Sequence, residues 1–121
     1  MAIAHATVAA QASASNAAAG TTTGSWIDLT AAYKASVLVK ITNGGTGPTV
    51  GCTASIDLSP DNGTTVYAGA GGAYLAGIVA SGVYAAEFSL PEDTMYMRTV
   101  FTGNTGQAVT VQADVTKLTG I

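Results

Sequence analysis

The chain has 121 residues, the size of one domain built on one core. Only 9% of them are charged and the net charge is -3, which rules out a chain held open by self-repulsion and leaves a surface covered mostly by Thr, Gly and Ala. The four basic residues, Lys34, Lys40, Arg98 and Lys117, are too few and too scattered to neutralise a row of phosphates, so nucleic acid is not an expected partner.

Residues 1–24 (MAIAHATVAAQASASNAAAGTTTG) carry no charge except through His5 and, after Met1, almost no large apolar side chain beyond Ile3 and Val8. A face of Ala and Ser buries little area and an isolated short helix is marginal in water, so this segment reads as an extended N-terminal arm, ordered by a neighbour or not at all. A loose terminus and a first strand of the domain are the alternatives. The domain proper is expected over 25–121.

From Ser25 the pattern changes. SWIDLT is a short apolar segment, and SVLVKIT then alternates, with Val37, Val39 and Ile41 on one face of a half-buried strand. NGGTGPT, residues 43–49, is a loop by its Gly and Pro content. VGCTASIDLS alternates most clearly, with Cys52, Ala54, Ile56 and Leu58 facing one way and Thr53, Ser55, Asp57 and Ser59 the other. SPDNG (59–63) has the chemistry of a tight turn, in which Pro60 sets φ and Gly63 is free to take a positive φ, so TTVYAGA is expected to return as the hairpin partner.

Residues 69–82 hold five glycines and read as a long loop, with Tyr74, Leu75, Ile78 and Val79 as its bulk. GVYAAEFSLP is the next strand, with Tyr84, Ala86, Phe88 and Leu90 on one face and Pro91 as its stop. After the polar corner at Glu92 and Asp93, TMYMRTVFT and QAVTVQADVTKL are joined by the turn GNTG. They read as a closing antiparallel hairpin, with Val109, Val111, Ala113 and Val115 facing inward. About six short strands without a helical period argue for an all-β fold, an antiparallel β-sandwich of Ig-like or jelly-roll-like type.

Val, Ile, Leu and Phe number only 25 of 121 residues. Against a backbone entropy cost of about 1 to 2 kcal/mol per residue, so thin a core is expected to draw on partner subunits. Cys52, the single cysteine, excludes an intramolecular disulfide and reads as a small buried apolar residue. The first 33 residues contain no Lys or Arg for a secretory leader, and no stretch reaches the roughly 20 apolar residues of a membrane span. A soluble protein starting near Met1, with no membrane partner, is the expectation.

Catalytic chemistry finds little to work with. The one histidine, His5, lies in the arm, and Cys52 points to the core with no basic partner nearby in sequence. The seven acids form no specific pair. DLSPDNG offers several oxygen ligands but has Ala68 where a calcium loop of the EF-hand type needs its bidentate Glu, so no metal and no cofactor are expected. The protein is therefore not expected to be an enzyme. Tyr67 and Tyr74, flanking the glycine-rich stretch, are candidate contacts for a subunit or, in an alternative reading as a host-surface module, a glycan. Ile3, His5 and Val8 are the candidate contacts of the arm.

The run SASNAAAGTTTGSWIDLTAAYKASVLVKITNGGTGPTVGCTASIDLSPDNGTT, followed by FTGNTGQAVTVQADVTKLTGI, resembles small structural proteins of tailed bacteriophages, in particular head decoration or cement proteins. The similarity is one of style across residues 13–121: a Thr/Gly/Ala-rich sandwich, an SPDNG hairpin, a neutral Gly-rich surface and an uncharged terminal arm. Related sandwiches occur in tail and fibre proteins, and no functional residue transfers. The resemblance implies a virion component made in the host cytoplasm and placed on the outer capsid surface, often as a homotrimer, where it bridges neighbouring copies of the major capsid protein.

Overall fold

A computed structural model describes residues 3–121. Nine strands form, and among the described residues there is no helix: β1 (Ala4–Asn16), β2 (Thr21–Thr23), β3 (Ile27–Asp28), β4 (Lys34–Asn43), β5 (Thr53–Ser59), β6 (Tyr67–Leu75), β7 (Val83–Leu90), β8 (Tyr96–Thr102) and β9 (Val109–Gly120). They pair into two antiparallel sheets. One has the order β1-β9-β4-β7; the other has the order β2-β8-β5-β6, with β3 also pairing β8. The expected β-sandwich is the fold.

Period-two alternation put the right residues inside. Val37, Val39 and Ile41 of β4, Cys52, Ala54 and Ile56 at β5, and Val109, Val111, Ala113 and Val115 of β9 are all buried between the sheets, and Leu90 closes the inner row of β7. Phe101 is the largest fully buried side chain. Five of the 18 buried apolar residues are alanines, so more than a quarter of these positions add only a methyl group to the core.

Three sequence expectations are corrected. Most of the segment read as an arm is a strand of the domain: β1 runs antiparallel along β9 from Ala4↔Gly120 to Asn16↔Val109, with Ala10 and Asn16 buried. Its register shifts near Ala9, Gln11 and Ala14 let a chain of small residues bend over the sheet edge, and the ladder hydrogen bonds supply what its side chains lack. Met1 and Ala2 of that segment lie outside the described residues.

The closing pair is not a hairpin. β8 belongs to one sheet and β9 to the other, so 103–108 cross between them. Met97, Thr99 and Phe101 of β8 therefore face the core from one side and the valines of β9 from the other, and two strands with strong apolar faces are better covered facing each other than side by side.

The 69–82 loop is shorter than expected, because 69–75 belong to β6 and only 76–82 connect strands. Glycine here marks close packing: Gly72 has φ +119, and a Cβ on it would stand 2.7 Å from the Phe88 ring. β5 keeps its alternation of faces, with Leu58 half-buried against the core, and Asp57 and Ser59 on its outer side are buried as well. The SPDNG turn forms as expected, with Asn62 and Gly63 at φ 57 and 92. Ser59 Oγ accepts from Gly63 N at 2.8 Å, and Asp61 Oδ1 accepts from Thr65 N at 2.7 Å.

Asp57 owes its burial to specific partners on the outer face of its sheet. Its Oδ2 lies 3.0 Å from Arg98 Nε, its Oδ1 accepts from Gly69 N at 3.0 Å, and the Arg98 guanidinium sits 4.6 Å from the Trp26 ring centroid. Trp26 thus roofs an ion pair outside the sandwich. Replacing Arg98 by Ala leaves a nearly buried carboxylate with one donor, and a loss of about 2 kcal/mol in urea denaturation is the expected outcome. A change below roughly 0.5 kcal/mol would place this pair among exposed ion pairs of little worth.

Candidate functional site

The five contact candidates do not converge. Ile3 and His5 stand exposed at the start of β1, whereas Val8, three residues on, is half-buried against the core. Tyr67 is exposed at the start of β6 and lines a surface cleft of about 380 Å³ with Leu58, Pro60, Pro91, Asp93 and Met95. Tyr74, at the other end of the strand and roughly 20 Å away along it, is half-buried and packs on the core. A ring-stacking platform needs two aromatic faces on one surface, and these two tyrosines do not supply it.

His5 borders a shallow trough of about 250 Å³ on the outer face of the four-stranded sheet, with Lys34, Ser36, Ser89, Thr116 and Leu118. No acid lines it, so nothing there orients the imidazole as a base. Cys52 is fully buried, and desolvation pushes its thiol up to about 11, so it stays protonated at neutral pH and acts as a core side chain. Among the described residues no cluster of His, Cys, Asp or Glu could hold a metal ion, and no helix is long and apolar enough to cross a membrane.

Topology builds a different surface. Four connections cross between the sheets at one end of the sandwich: 17–20, 44–52, 76–82 and 103–108. The register shows that they share this end, since Asn16 and Asn43 both pair Val109, while Thr21 and Thr53 both pair Thr102. Val50, Leu75, Ile78, Val79 and Val83 are exposed here by 50 to 65%.

Buried asparagines hold these loops. Asn104 Nδ2 donates to the carbonyls of Asn16, Ala17 and Gln107 at 3.2, 3.4 and 3.0 Å, and its Oδ1 accepts from Asn16 Nδ2. Asn43 Nδ2 donates to the carbonyls of Gly77 and Val79 at 3.0 and 2.9 Å, and Ser81 N donates to Gly44 O at 2.7 Å. A Cβ at Gly51 would run into the Ala76 carbonyl oxygen, so the second and third loops lie backbone against backbone. Sequence reasoning treated each loop separately and passed over these asparagines. The available signal was the uncharged runs 41–56, 62–86 and 99–113, whose convergence only the strand order reveals.

No protein-family model matches the chain, and no curated protein matches it. Among solved structures it is similar to chains from infectious bursal disease virus. For the Gx strain the TM-score is 0.62 at 13% identity, covering 98% of this chain and 33% of the viral one. For the Gt strain the values are 0.57, 15%, 98% and 32%. At such identities the likeness is one of fold, and this chain spans about a third of the length of the chains it matches.

Proposed function

We propose that this protein is a nonenzymatic structural component of a virus particle, and specifically a decoration protein that sits on the outer capsid surface of a tailed phage and bridges copies of the major capsid protein. The observation that carries the virion part is the likeness in fold, over 98% of the chain, to chains from infectious bursal disease virus. Two features of the molecule support the decoration part. The two surface hollows lined by His5 and by Tyr67 bring together no acid-base or nucleophilic pair, whereas large apolar side chains stand exposed at both ends of a sandwich whose own core is thin. A lattice supplies the burial that such a chain cannot supply alone, and a scaffold of paired strands keeps the contact surface in one shape while it binds.

The test uses phage particles carrying the full-length protein, purified on a density gradient and labelled with antibody. Co-purification in a fixed ratio to the major capsid protein, gold label on the outer surface, and loss of heat resistance in particles lacking the protein are the expected results. A protein found only in the unassembled pool, or enclosed within the shell, would overturn the proposal.

A further inference from the structure

The end of the sandwich that gathers the four crossing loops contains no charge. Neither the loops nor the strand termini around them hold an Asp, Glu, Lys or Arg, and the charged residues stand either along the strands or at the opposite end, where Asp28, Lys34, Asp61, Glu92, Asp93 and Lys117 lie. Lys40 comes nearest. It precedes the end of β4 by three residues, about 10 Å along a strand, which exceeds the roughly 8 Å screening length at physiological ionic strength. Approach to this end meets no fixed charge of either sign.

We infer that this charge-free end is a contact between copies of this chain, and that its occupant is a second copy seated through Val50, Leu75, Ile78, Val79 and Val83. The inference deepens the virion reading and takes from it only the setting in which copies gather. Charge is the first argument. Copies related by symmetry bring like residues close to the axis, so a charged loop there would meet its own kind, while a different partner is ordinarily steered by opposite charge and finds none to act on. With a net charge of -3 the copies repel, and an end-on contact through the neutral pole keeps the acids of the far end apart.

Size and order are the second argument. The four connections supply a number of residues comparable to one side of a standard interface, roughly 20 to 30. They are already tied down: Asn43 fixes 76–82, Asn104 fixes 17–20 and 103–108, Gly82 N donates to Val79 O at 3.0 Å, and Thr49 N donates to Thr105 O at 2.8 Å. Little conformational freedom is left to lose on association.

Sedimentation velocity of the full chain over a concentration series tests this. The wild type is expected to associate, with little dependence on salt. Val79→Glu is expected to weaken association by about 30-fold or more, with the melting temperature of the wild type kept at dilutions where both proteins are monomeric, because Val79 is 65% exposed. Leu38→Glu, on the outer face of the four-stranded sheet, is expected to associate as the wild type does. A second readout needs no variant: hydrogen exchange of 76–82 in the wild type slows as concentration rises.

A wild type that stays monomeric throughout, association untouched by Val79→Glu, or disruption by Leu38→Glu alone would each overturn the inference. Failure here is separable from failure of the virion reading. A monomer that still enters particles refutes the copy contact only, and an associating protein absent from particles refutes the virion role only.

Discussion

Deleting residues 1–24 is expected to abolish cooperative folding. The deletion removes β1 and β2 together, stripping the ladder partner from β9 between Val109 and Gly120 and the cover from the end of β8. It takes away buried Ala10, half-buried Val8 and the Asn16 side chain, whose Oδ1 accepts from Thr22 Oγ1 at 2.7 Å and whose Nδ2 donates to Asn104. A thin core has no reserve against such a loss, and the newly bared, valine-rich β9 becomes an unprotected edge prone to pairing between molecules. Far-ultraviolet circular dichroism during heating should show a broad, non-cooperative change, and sedimentation should show aggregates. A truncated protein that melts cooperatively within a few degrees of the full chain would show that β1 is an accessory to the fold. The role of this segment in gripping a partner is accordingly tested at exposed Ile3 and His5, which change the surface without removing the strand.

Asn104→Ala is expected to cost about 3 to 4 kcal/mol. Asn104 is fully buried, and its amide is the common donor for the carbonyls of Asn16, Ala17 and Gln107. Truncation leaves those carbonyls and Asn16 Nδ2 short of partners inside the protein, at the point where the β1–β2 turn is held against the β8–β9 crossing. Asn104→Asp, the same size, is expected to lose at least as much, since it replaces the donor with an oxygen facing carbonyl oxygens. Urea denaturation of both variants measures this. A loss below about 1 kcal/mol for Asn104→Ala would mean that water replaces the amide without penalty.

Strand content was largely legible because alternation reports a face directly: Val37, Val39 and Ile41, or Val109 to Val115, need only a period of two to declare which side is buried. The SPDNG turn was legible for a similarly local reason, since Pro60 and Gly63 answer to φ alone. β1 and β6 were obscured because Ala, Ser and Gly carry no such mark; their strand state comes from hydrogen bonds to β9 and β5. Asp57 is buried on the outer side of β5 because Arg98 and the Gly69 amide, distant in sequence, compensate its burial. The candidate contacts Tyr67 and Tyr74 were chosen for ring chemistry, which sequence displays, whereas their separation along β6 is a matter of strand geometry.

Composition and periodicity by themselves determined that this protein is all-β, thin in core and poor in charge, because those properties are sums and local repeats that any reader of the chain can count. Which strands share a sheet, the pairing of Asn16 with Asn104 across 88 positions, and the gathering of four neutral loops at one pole were decided only by the tertiary structure. The physical reason is that hydrogen-bonded strands are chosen by mutual burial of whole faces, and that choice compares every strand with every other.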